Sequence, residues 1–321
     1  MKAIVTTGEG PAGVRVAEVE EPRPAADEAL IAVEAFSVNR GETFQIESRT
    51  AGFRPGKDVA GAVVEAAADG SGPQVGERVV AHATGAGWAE RVAIATDRIA
   101  VLPGERTAAP ADPGAALASD LTTTTAAALP LAGLTALRLT RATGPLASRR
   151  VLLTGASGGV GHYFAELAAA QGADLTAVSA SAERAERLLA LGAGRVVAAV
   201  EEAEGPFDLA LDSVGGTSTP AAFAKLAPEG GLVWFGQASR VAPAFDFFDW
   251  RGAFNGTIRR FHYEESDVSI ATDLATLVRL TAGGRLHPEV GWTGDWTWTG
   301  EALAALLARE VRGNAVLTIT T

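Results

Sequence analysis

The segment VLLTGASGGVG, residues 151–161, constrains this 321-residue chain more than any other stretch. A short apolar run, a glycine-rich turn and an apolar, Ala-rich stretch read as strand, tight turn and helix. Within the turn, Ala156, Gly158 and Gly161 fit the three positions of a G-x-G-x-x-G spacing, with Ala in the first place. The first small residue permits the turn, Gly158 lets backbone approach a pyrophosphate, and Gly161 allows the helix to lie close on the strand. N–H groups left over at the helix N-terminus would then face the phosphates, with the macrodipole in favour. Alone, such a spacing can be no more than a strand-to-helix turn. Here a second strand, DLTAVSAS, ends about where a dinucleotide site requires it.

That second strand lacks the acidic residue that would receive the ribose 2′-hydroxyl of NAD. Ser179 stands roughly in its place, Ser181 follows, and Arg184 lies in the first turn of the next helix. Hydroxyl donors and a guanidinium suit a 2′-phosphate that a carboxylate would repel, which favours NADPH over NADH. The plainer alternative is that Arg184 and Arg187 form a solvated helix face with Glu183 and Glu186.

Around this unit the pattern changes twice. The first hundred residues alternate apolar and polar positions in short runs broken by Gly and Pro, such as KAIVTT, EALIAVEAFSV and ERVVAHA, which implies a mostly antiparallel, barrel-like β domain. From Val151 strands alternate with helices, with helices expected over about 162–171, 182–191 and 220–226, the rhythm of a parallel, doubly wound sheet whose ligand site lies at the carboxyl ends of its strands. After about Phe261 come a helix, the segment EVGWTGDWTWTG, another helix and a last strand NAVLTIT; this tail could extend the parallel sheet. Trp292, Trp296 and Trp298 alternate as in a strand and read as core or domain-interface packing. The fold class is therefore α/β.

Composition narrows the chemistry. A net charge of −11 with scattered basic residues argues against a nucleic-acid surface. The chain has no cysteine, and its four histidines do not pair at metal-ligand spacing, so the sequence offers no metal site and no thiolate nucleophile. No stretch of about 18 apolar residues suggests a membrane span, and a cytoplasmic location is expected.

With these motifs in order, the chain resembles the medium-chain dehydrogenase/reductase superfamily, and within it the zinc-free NADPH:quinone oxidoreductase and enoyl reductase branch. The resemblance covers nearly the whole length. Besides the glycine turn it rests on SVNRGE (37–42), GKDVAGAVVEA (56–66), VGERVVAHATGAGWAERV (75–92), ALPLAGLTALRLT (128–140), DSVGG (212–216), FGQAS (235–239) and RGNAVL (312–317). It implies a GroES-like β catalytic domain formed by 1–119 and 262–321 and a Rossmann cofactor domain over 120–261, with the cofactor in the cleft between them. It also implies a homodimer joined by edge strands, here the segment after LVWFGQAS.

Carried over by position, the resemblance has Ala156, Gly158, Gly159, Val160 and Gly161 cradle the pyrophosphate of NADPH and Ser179, Ser181 and Arg184 take the 2′-phosphate. Thr135 would lie beside the nicotinamide, Ser213, Val214, Gly236, Gln237, Ala238 and Ser239 would border the ribose, and Asn314 would help close the site. Asn39 matches the asparagine at the floor of the substrate cleft. Glu42 replaces a frequent Asp, Asn314 a frequent Lys, Ala198 a Tyr of some relatives, and His162 a small residue.

The implied chemistry is hydride transfer to a small, apolar electrophile that needs little Lewis-acid help: a quinone, or the activated C=C bond of an α,β-unsaturated carbonyl compound. Asn39, a backbone N–H or the cofactor ribose hydroxyl could donate to the developing enolate oxygen. Glu42 is a candidate acid only if its site raises its pKa; otherwise it is a solvated acid on a turn before a helix. Phe44, Phe53, Trp88, Phe261 and Tyr263 could line an apolar pocket, with core packing the alternative for each. His82 and His262 fall near cleft segments, though a lone histidine is more often a packed or surface residue. Two other readings stay open: an NADPH-binding protein with a structural or sensing role and no turnover, and a biosynthetic reductase with one complex substrate.

Overall fold

Period-two alternation in the first hundred residues becomes strands in the computed structural model, which describes residues 1–103, 121–246, 248 and 255–320. These are β1 (Lys2–Thr6), β2 (Val14–Glu18), β3 (Glu28–Val38), β4 (Asp58–Glu65), β5 (Arg78–His82), β6 (Arg91–Ala95) and β7 (Ile99–Val101), with helix α1 (Arg40–Ser48) between β3 and β4. Helices α2 (Thr123–Ala127) and α3 (Pro130–Ala142) follow. The chain divides into two units, 1–134 with 267–321, and 135–266, so that one boundary falls within α3. The boundary expected between 119 and 120 lies outside the described residues.

In the first unit β3 pairs antiparallel with β4, β6 and the final strand, and β5 pairs with β4 and β7. Its core gathers Phe36, Val59, Val79, Trp88, Leu303 and Leu317, all buried. The tail contributes α7 (Ile270–Ala282), β14 (Val290–Asp295), α8 (Thr299–Leu307) and β15 (Asn314–Thr318). Because β14 pairs parallel with β15 and β15 antiparallel with β3, the tail completes the sheet of this unit and does not extend the parallel sheet of the other. The Trp-rich segment is not one strand. Asp295 accepts the backbone N–H of Thr297 at 2.9 Å, and a 3₁₀ turn over Trp296–Trp298 breaks the alternation. Trp296 is buried, whereas Trp298 is 53% exposed and is not core.

The second unit is a parallel sheet of six strands: β8 (Arg150–Leu153), β9 (Asp174–Val178), β10 (Arg195–Val197), β11 (Phe207–Asp212), β12 (Leu226–Trp234) and β13 (Thr257–Arg260). Its helices are α4 (Gly159–Ala170), α5 (Ala182–Ala190) and α6 (Ser218–Phe223). The order β10-β9-β8-β11-β12-β13 places the first strand, β8, between its successor β9 and β11. The direction of winding therefore reverses between β8 and β11, the place where open α/β sheets bind ligands. Runs such as VLL in β8 and LALD in β11 are buried throughout, as strands covered on both faces require. Helix α4 starts at Gly159, three residues before the sequence-based expectation: glycines score poorly in a helix, but in a first turn their backbone geometry costs little. The edge strand β13 is exposed along its length.

Candidate functional site

The turn after β8 is built by close approach. A Cβ on Gly161 would lie 2.2 Å from the Ala156 carbonyl oxygen, so only glycine lets α4 meet the turn. Gly155 adopts φ +62°, and a Cβ there would lie 2.3 Å from Ser213 Oγ. Ala156 and Gly161 are buried, while Ser157, Gly158, Gly159 and Val160 are partly exposed. Gly158 is the N-cap of α4 and supplies no side-chain acceptor. The first N–H groups of the helix are thus left for an anion.

The loops after β11 and β12 are tied to this turn. Ser213 N donates to Thr154 Oγ1 at 3.2 Å, and Ser213 Oγ donates to Thr154 O at 3.3 Å. Ala238 N donates to Ser213 O at 2.9 Å and Ser239 N to Val214 O at 2.8 Å, so residues 236–239 follow 213–214 in fixed register. The group that organises them is Asp212, which the sequence reading did not single out. Fully buried, it accepts from Thr154 Oγ1, Ser218 Oγ (2.8 Å), Thr219 Oγ1 (2.7 Å) and Gly215 N (3.0 Å). A carboxylate closing an apolar strand before Ser, Gly and Thr was the available signal.

At the end of β9 the expected trio separates. The Ser179 hydroxyl oxygen is buried without a hydrogen-bond partner, so in this conformation it is closed to a phosphate. Ser181, the N-cap of α5, and Arg184 in its first turn are partly exposed. Thr135, on α3, is buried in the same unit.

The first unit holds a second polar centre. Asp58, at the start of β4, accepts from Ser37 Oγ and Asn39 Nδ2 at 2.8 Å each and from Leu131 N at 3.0 Å, and its Oδ1 lies 2.9 Å from His82 Nδ1. Asn39 Nδ2 also donates to Ser37 Oγ at 3.3 Å. Only the NH₂ end of an asparagine can face a carboxylate, which fixes the orientation of this amide. With Nδ2 committed to Asp58 and Ser37, Asn39, one of the three candidate donors, has both amide hydrogens engaged within the protein.

Glu42 sits in the first turn of α1, and its Oε2 accepts the Asn39 backbone N–H at 2.8 Å. It is fully buried and its Oε1 has no partner, so the solvated-turn alternative does not hold. Burial, and next the Asp58 carboxylate, push its pKa up to about 8 against the smaller opposing effects of Lys57 and the Asn39 N–H. At neutral pH it is mostly a neutral acid.

The expected pocket aromatics differ in burial. Trp88 is fully buried, stacks on Phe36 and donates Nε1 to Ser37 O at 3.0 Å; it is core, not pocket wall. Phe44 is 37% exposed on α1. Phe261 and Tyr263 belong to the second unit and are partly exposed, with His262 stacked on Tyr263. Asn314 is buried at the start of β15, where its Nδ2 donates to Glu289 O at 3.1 Å.

Two known families meet these two regions. The alcohol dehydrogenase GroES-like domain matches residues 25–127, and zinc-binding dehydrogenase matches residues 159–276. The chain belongs to the medium-chain dehydrogenase/reductase superfamily. Its relatives fall in the quinone oxidoreductase branch. A chloroplast envelope quinone oxidoreductase homolog of Arabidopsis thaliana is 36% identical over 206 residues, 59% of this chain and 58% of that protein. The chain thus spans a little over half the length of that relative. A mycobacterial protein solved with NADPH is 26% identical with a TM-score of 0.86, over 99% of this chain and all of that one. Escherichia coli quinone oxidoreductase, also solved with NADPH, superposes with a TM-score of 0.85 at 22% identity over 99% of this chain and 100% of that one. The zinc of the second family's name does not suit the residues present. The chain has no cysteine, and among the described residues no three His, Asp or Glu side chains converge as metal ligands.

Proposed function

We propose that this member of the superfamily is a zinc-independent, NADPH-dependent oxidoreductase that reduces a quinone or the activated C=C bond of an α,β-unsaturated carbonyl compound. The observation that carries the reading is the uncapped glycine turn at the point where the winding of the parallel sheet reverses. NADPH, when bound, supplies the hydride. The N–H groups of Gly159, Val160 and Gly161 would hold the pyrophosphate, and Ser181 and Arg184 the 2′-phosphate. Ser213, Val214 and residues 236–239 would border the ribose, and Thr135 the nicotinamide. Asp58 holds the Asn39 amide in place, and Glu42 holds a proton at neutral pH. The Arabidopsis relative's name supports a quinone, and the mycobacterial structure supports NADPH. The exposed edge of β13, with Ile258 45% exposed, supports a homodimer through that strand.

Steady-state oxidation of NADPH and NADH with a simple quinone and a simple enone tests the reading. Wild type is expected to prefer NADPH, and Arg184→Ala to weaken NADPH by about tenfold or more while sparing NADH, the scale of one lost charge-assisted hydrogen bond. An unchanged preference would remove Arg184 from the 2′-phosphate site.

A further inference from the structure

Apart from the two regions above, the first unit contains a cavity of about 550 Å³ that shares no residue with the Asn39 centre. Its walls come from the loops around Phe53 and Arg54 and around Thr84 and Gly85, with Pro22 and Val92 beside them. Arg54 is the cation of this cavity. Its Nε is buried and has no hydrogen-bond partner, and among the described residues no carboxylate pairs with its guanidinium. Burial alone holds its pKa below the usual arginine value; no neighbouring charge contributes. Thr84 and Gly85, on the opposite loop, take part in no hydrogen bond among the described residues. Arg49 lies over the Phe53 ring at 5.2 Å and adds a second positive charge to that wall.

A part-buried guanidinium without an acceptor is costly, and the cost is recovered when an anion takes the place of the lost water. The rigid fork of arginine matches the two oxygens of a carboxylate, and the apolar surface of Phe53, Val92 and Pro22 suits a carbon skeleton attached to it. We propose that this cavity binds a small organic carboxylate, its charge on Arg54 with Thr84 and Gly85 and its apolar body against Phe53 and Val92. The site goes beyond the proposed reduction and does not depend on it.

Benzoate is a suitable probe, with benzamide as its neutral counterpart and inorganic phosphate as an oxyanion without an apolar body. In protein carrying isotopically labelled arginine, the Arg54 Nε–H resonance is identified by its absence in Arg54→Lys. Benzoate is expected to shift that resonance saturably, benzamide to leave it unmoved, and Arg54→Gln to weaken benzoate binding by at least about tenfold. A resonance that benzoate does not move in the wild-type protein would overturn the proposal, and so would benzoate binding equally well to Arg54→Gln. Phosphate binding as tightly as benzoate would overturn the choice of an organic carboxylate. None of these readouts uses turnover, so their failure is separate from failure of the reductase reading.

Discussion

In the second unit the candidate site is backbone: a glycine turn, an uncapped helix start and loops stitched by main-chain hydrogen bonds. In the first unit it is side chains brought from β3, α1, β4 and β5 and held by one carboxylate, Asp58. The difference teaches where each region is fragile. A backbone cradle fails when a side chain is added, because close approach is its working principle. A side-chain centre fails when a charge is taken away, because its donors lose the acceptor they share.

The comparison is broken most severely at Asp58. Asp58→Ala removes the acceptor shared by Ser37, Asn39 and the Leu131 N–H, and the carboxylate beside His82. A loss of roughly 3–5 kcal/mol is expected, as for removal of one partner from a buried charged network, and urea unfolding measures it. At Gly161 the effect has the opposite origin. The extra atoms of Gly161→Val collide with the Ala156 carbonyl. Overpacking of this kind costs about 1–3 kcal/mol, and here NADPH affinity should fall along with stability. Equilibrium binding and thermal unfolding of the same variant would show whether the two fall together.

The effect most diagnostic in shape belongs to Glu42. Below its ordinary pKa of 4.5, folded and unfolded chains both hold the proton; from there to about 8 only the folded chain does. The unfolded state binds fewer protons across that window, so this group makes the fold less stable as pH rises through it, and the loss levels off above. Glu42→Gln has no proton to lose. Its urea midpoint should therefore decline less than that of wild type between about pH 5 and pH 8. Parallel declines would show that Glu42 titrates as an ordinary carboxylate.

The same contrast explains what the sequence made legible. The Ala156–Gly161 turn is local: strand, turn and helix lie within a few residues, and a spacing rule with a steric cause applies. The alternation that yields β1 to β6 is local as well. The Asn39 centre joins residues from 37 to 131, and no periodicity announces that Asp58 and His82 meet, nor that Nδ2 of Asn39 is thereby spent. Trp88 shows the same limit: pocket wall and core packing both suit such an aromatic in the sequence, and the space left by Gly56, far off in the chain, is what makes it core. Asp212 shows that even in the legible unit the group organising the loops is reached only through its contacts.

The most direct test of the central claim is NADPH oxidation by the purified protein after exhaustive treatment with a strong chelator, with a quinone and an enone each offered as acceptor. The account predicts oxidation with at least one acceptor at the rate of untreated protein. Activity abolished by the chelator and restored by zinc, or no oxidation with either acceptor, would contradict it.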